Sequence, residues 1–126
     1  MAATGIAAPT PNRSFAVTVD RLLDEAWTVD CAIRLRQPAW AAASAENLLA
    51  DLARHGQQLQ ARWAHVDPDV AQSLGQELFT VQLASLMIAD ELRSGTEWPR
   101  ADLYDRVARL IHQEAVAVGD SAWALD

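Results

Sequence analysis

The sequence predicts an all-α fold, an antiparallel four-helix bundle, on three observations. Apolar residues recur at alternating steps of three and four through four long segments. Proline, aspartate and glycine punctuate the joins between those segments. No stretch alternates apolar and polar residues as a half-buried strand does, and no fixed-period repeat is visible. At 126 residues the chain is long enough for one domain with one real core.

Residues 1–13 are small and carry Pro9 and Pro11, and read as a flexible tail ahead of a single helical domain over 14–126. The first helix is expected from Ser14 to Gln37, with Phe15, Val19, Leu22, Ala26, Val29 and Ile33 as its apolar seam. Pro38 ends it and suits the first turn of the second helix. That helix runs to about Val66 on Leu49, Leu52, Gly56, Leu59, Trp63 and Val66, although Ser44 offers a second possible start. Gly56 costs about 1 kcal/mol against alanine in a helix interior. It suits a place where a neighbour such as Trp63 or Trp27 approaches closely.

HVDPDV gives the clearest local instruction: Asp67 caps, Pro68 takes the first helical position, and Asp69 favours the helix dipole. The third helix is expected to continue to Ser94, with Leu74, Leu78, Val81, Ser85, Ile88 and Leu92 inward and Gly95 as its stop. After TEWP, a fourth helix is expected from Pro99 to Trp123. Its inward row includes Leu103, Val107, Leu110, Ile111, Val118, Ala122 and Leu125.

Charge and composition exclude several functions. Residues 1–66 hold six acidic residues against six arginines, and residues 67–126 hold eleven against four, so the net charge of −7 sits in the second half. There is no lysine, and the arginines are scattered, which leaves no basic face for nucleic acid. The longest apolar run, LFTVQLASLMIA, falls short of the ~20 residues needed to cross a bilayer. The start, MAATGIAAPTPNRS, has no positively charged segment ahead of an apolar run, so no signal peptide is expected and the reading is a cytoplasmic protein.

That apolar run, residues 78–89, carries the strongest functional hint. At about 100° per residue, Leu78, Val81, Ser85 and Ile88 point one way, while Phe79, Leu83, Leu86 and Met87 point nearly opposite. A helix on the rim of a four-helix bundle buries one stripe. The second stripe needs a cover: the tail, a second copy of the chain, or a different protein. An apolar patch left in water marks an interaction site.

The leading expectation is therefore a non-enzymatic interaction protein such as a small regulator, adaptor, chaperone or immunity-type inhibitor. It acts through this face as a homodimer, or on a partner with a basic face. Trp123, on the outer side of the fourth helix, is expected to add to the contact. The other tryptophans read as core (Trp63) or as plugs at helix ends (Trp40, Trp98), in preference to an aromatic ligand cage.

The alternative is a small-molecule or catalytic site inside the bundle. Glu114 falls on the apolar face of the fourth helix, where a carboxylate must pair, bond or take up a proton. Ser85 and His55 are its expected inward companions, and His55 follows Asp51 by four residues on one helix side. No Glu-x-x-His, His-x3-His or HExxH occurs, so neither a metal nor a cofactor is expected. Arg106 and His112 are spaced in a way loosely similar to the signature of HEPN-type helical ribonucleases, but Val107 follows the arginine and the two lie about 120° apart on a helix. His55 lacks the Lys-Gly pair typical after the histidine of phosphotransfer domains. Cys31 has no histidine or arginine obviously placed to activate it.

Overall fold

The computed structural model describes residues 11–95 and 98–118, of which 11–18 are described as backbone only. Four helices fill them: α1 (Pro11–Arg34), α2 (Pro38–Trp63), α3 (Pro68–Ser94) and α4 (Leu103–Ala117). Each packs against the next, and α4 closes on α1, which leaves α1–α3 and α2–α4 as the diagonal pairs. The result is a four-membered ring of helices around one core. Between α2 and α3, Gly56 meets Leu78 and Glu46 meets Arg93, so numbers fall on one helix as they rise on the other.

The termini follow local chemistry. α1 starts at Pro11, three residues inside the segment expected to be a tail. It ends at Arg34, not Gln37, because the residue before Pro38 is steered away from helical geometry. Arg36 adopts φ 58°, the one positive φ outside glycine among the described residues. Around it the Gln37 N–H bonds to the Ala32 carbonyl at 2.9 Å and the Arg36 N–H to that of Ile33 at 3.1 Å, a Schellman closure without glycine. The Arg36 guanidinium lies 4.7 Å from the Trp98 ring centroid.

α2 is continuous from Pro38, so Ser44 is a buried mid-helix residue and not a start. At α3 the Asp67 carboxylate accepts the Asp69 N–H at 2.9 Å, and Gly95 closes the helix at φ 68°. α4 begins four residues later than expected. Pro99 and Arg100 remain in the connection, Asp102 is the cap position, and the described helix ends at Ala117. The inward residues expected at Ala122 and Leu125 lie outside the described residues.

The core is made of Leu22, Ala26, Val29, Ile33, Leu48, Leu52, Leu59, Trp63, Leu74, Leu78, Val81, Ile88, Leu92, Leu103, Val107 and Leu110, joined by small alanines. Burying each large side chain is worth roughly 1.5–3 kcal/mol. Gly56 is buried under Leu78, not under a tryptophan: a Cβ there would stand 2.9 Å from the Leu78 Cδ2 atom. The missing side chain sets how closely α2 approaches α3.

Candidate functional site

The two stripes of α3 separate cleanly in the ring. Leu74, Leu78, Val81, Ser85, Ile88 and Leu92 are buried. On the outer side Phe79 is 63% exposed, Leu83 41%, Leu86 52% and Met87 51%. These four occupy steps of four, three and one, a single strip along the helix. At its C-terminal end Met87 enters a cleft of about 300 Å³ with Ala84, Ile88, Trp98 and Pro99, rimmed by Glu91, Arg100, Asp102 and Arg106. Trp123 lies outside the described residues.

Glu114 is fully buried. Its Oε2 accepts the indole N–H of Trp63 in a short hydrogen bond from α2 to α4, while Oε1 has no hydrogen-bond partner. Burial pushes its carboxyl above the usual range, against the opposing pull of the Trp63 N–H and the Arg62 charge. Ser85 is buried and donates to the Val81 carbonyl of its own helix at 3.0 Å. His55 is buried, with its Nε2 3.2 Å from an Arg54 nitrogen. Glu114 thus bonds to Trp63 and Ser85 to its own helix, so neither hydrogen bond joins these two residues.

His55 instead belongs to a charged cluster between α1 and α2. The Arg21 Nε atom stands 3.0 Å from one oxygen of Asp51, and Arg54 stands 3.6 Å from the other. Glu25 lies 3.9 Å from Arg21 and in hydrogen-bond contact with Asp51. Its carboxyl is pushed up to about 7, first by burial and then by the Asp51 carboxylate, against Arg21 and Arg54. Two touching carboxylates hold a proton between them because both cannot ionise cheaply. The sequence signalled half of this cluster, the Asp51–His55 spacing. Glu25 comes from another helix, and only the α1–α2 register brings it in.

Asp30 is a further residue that no pattern in the sequence singles out. It is buried, and its two oxygens accept the backbone N–H groups of Leu103 and Tyr104 at 3.0 Å each. A helix N-terminus leaves such donors unsatisfied, and here α1 caps α4. Burial raises the Asp30 carboxyl, with the two N–H groups opposing. The Arg34 guanidinium lies 5.8 Å from the Trp27 ring centroid.

Asp102, the residue at the cap position itself, pairs with Arg106 at 3.2 Å. His112 is exposed beside a cleft of about 360 Å³ with Val70, Leu74 and Val116. Cys31 is a half-buried free thiol. Among the described residues no helix is long and apolar enough to cross a membrane. No family model, curated protein or solved structure matches the chain.

Proposed function

We propose that the protein is a non-enzymatic helical interaction protein that works through the outer face of α3, and that this face first meets a second copy of itself. The observation that carries the reading is the exposure of Phe79, Leu83, Leu86 and Met87 as one strip on a helix whose opposite side is core. Large apolar patches of this kind mark contact surfaces.

The spacing supports self-association. Phe79 and Met87 stand four residues either side of Leu83. A two-fold axis through Leu83, with the helices crossing in opposite senses, sets Phe79 of one copy against Met87 of the other and Leu83 against itself. Gln76 then faces Asp90 and Thr80 faces Leu86, so no like charges oppose. A parallel pairing sets Asp90 against its own copy. Isologous two-fold contacts of the first kind are the commonest form of oligomer.

Light scattering of the purified chain tests the proposal. The expected result is a dimer that Leu83→Glu dissociates while the helical circular dichroism is retained. A monodisperse wild-type monomer removes self-association and leaves the face to a different protein, for which the acidic second half selects a basic surface.

The reading of a site inside the bundle keeps one supporting observation, the buried Glu114 carboxyl with its unpartnered Oε1. Glu114 is not among the residues that line the clefts at Met87 and at His112. The α3 face is the better supported of the two.

A further inference from the structure

Trp27 on α1 and Tyr104 on the first turn of α4 meet edge to face, with ring centroids 5.6 Å apart and planes at 77°. With Asp20, Leu23 and Asp24 they line an open cleft of about 450 Å³. We infer that this cleft is a binding site for an organic cation with an alkylated ammonium head, such as a trimethylammonium group.

The two rings form perpendicular walls, and an aromatic face attracts a cation through its quadrupole. Trp27 is 50% exposed and available to a ligand. Its affinity for positive charge is already visible in Arg34, whose guanidinium sits over the ring from two turns further along α1. Asp20 and Asp24 stand one turn apart, both exposed, and neither has an ion-pair partner among the described residues. Like charges at that spacing repel, and a cation between them relieves the repulsion. Leu23 adds an apolar surface. A bare ammonium is strongly hydrated and needs acceptors for its three donors. A methylated head donates no hydrogen bond and gains from aromatic and aliphatic contact.

The corner is built before any ligand arrives. Asp30, one turn beyond Trp27, holds the Tyr104 N–H at 3.0 Å and so fixes the start of α4 against α1. Preorganisation of this kind lowers the cost of binding. The lining residues all come from α1 and α4, so the site shares none with the proposed interaction face on α3.

The same head group occurs on free small molecules and on methylated lysine side chains. Calorimetric titration of the full chain therefore has two arms: choline and tetramethylammonium in one, a short peptide bearing trimethyllysine in the other. Saturable binding is expected in at least one arm. It should weaken about tenfold or more, the scale of a desolvated cation–π contact, in Trp27→Ala and in the double variant Asp20→Asn/Asp24→Asn. Trp27→Phe should retain most of the affinity, and Trp40→Ala, at an exposed tryptophan on α2, should leave it unchanged.

Binding of the peptide alone assigns the cation to a protein ligand, and binding of the free cations identifies a small molecule. The proposal is overturned by no saturable binding in either arm, or by equal binding of the uncharged tert-butyl isostere of choline. Affinity untouched by the double aspartate variant overturns it too; those exposed positions can be changed without disturbing the core, so that arm stands even where Trp27→Ala fails to fold.

Discussion

Asp30 of α1 accepts the backbone N–H of Leu103 at 3.0 Å, so the N-terminus of α4 is capped from another helix. A cap supplied from 73 positions away does two jobs: it satisfies buried donors and it orients α4. Asp30→Ala strands the Leu103 and Tyr104 donors and should lower stability by about 1–3 kcal/mol. Asp30→Asn keeps one acceptor and should lose less. Urea unfolding checks both; the midpoint should fall with the slope unchanged.

Two glycines in helices should respond with opposite signs. A Cβ at Gly56 would meet the buried Leu78 side chain at 2.9 Å. Gly56→Ala gains about 1 kcal/mol of helix propensity and loses about 1–3 kcal/mol to overpacking, so net destabilisation of about 1 kcal/mol is expected. Pairing it with Leu78→Val should recover part of that loss. Gly75 has nothing within 4 Å of the corresponding point, and Gly75→Ala should stabilise by up to about 1 kcal/mol. Thermal melts of the three variants decide the matter, and equal shifts for Gly56→Ala and Gly75→Ala would contradict the close α2–α3 approach.

The Glu25–Asp51 pair sets a pH dependence. The ordinary value for Glu25 is 4.5, and in the fold its carboxyl is pushed up to about 7. The native state thus holds the proton more tightly than the unfolded chain. The associated stability is whole below about pH 4.5 and is lost as the pH rises through about 7. Asp30 and Glu114, both raised by burial, act in the same direction. The unfolding midpoint should therefore fall across this interval, and Glu25→Gln should flatten the decline. A midpoint that climbs with pH, or a slope unchanged in the variant, would refute this assignment.

The Trp63–Glu114 bond predicts an asymmetry between its partners. Trp63→Phe opens a cavity and leaves Glu114 without its donor, which should cost about 2–4 kcal/mol by combining packing and hydrogen-bond losses. Glu114→Gln retains an acceptor for the indole and should change stability by less than about 1 kcal/mol while shallowing the pH dependence. Denaturant curves at two pH values separate these effects.

Most of the architecture was legible in local chemistry. Pro38, the Asp67–Pro68 pair and Gly95 act within one helical turn, so their positions mark the ends of elements directly. The buried rows of α3 follow from periodicity alone. Asp30 gave no signal because it sits on α1 where a surface residue is equally at home, and its partners belong to a helix whose approach no local pattern encodes. The start of α4 was misplaced for the same reason: Pro99 resembles a first-turn residue, yet the donors that needed capping were those of Leu103 and Tyr104. Periodicity found the α3 strip and Glu114. It could not supply the Trp63 contact or the Trp27–Tyr104 corner, both of which need two helices at a fixed register.

Closure of the helical ring at α1 and α4 has a dynamic consequence. α4 has 15 residues, close to the length at which an isolated helix is marginal in water. Contacts that span such a long stretch of chain also tend to form late. Native fluctuations should thus open this seam first, with amides of α4 exchanging with solvent ahead of those in α2 and α3. Any molecule lodged between Trp27 and Tyr104 would then behave as a clasp, and the slowing of that exchange would report its residence.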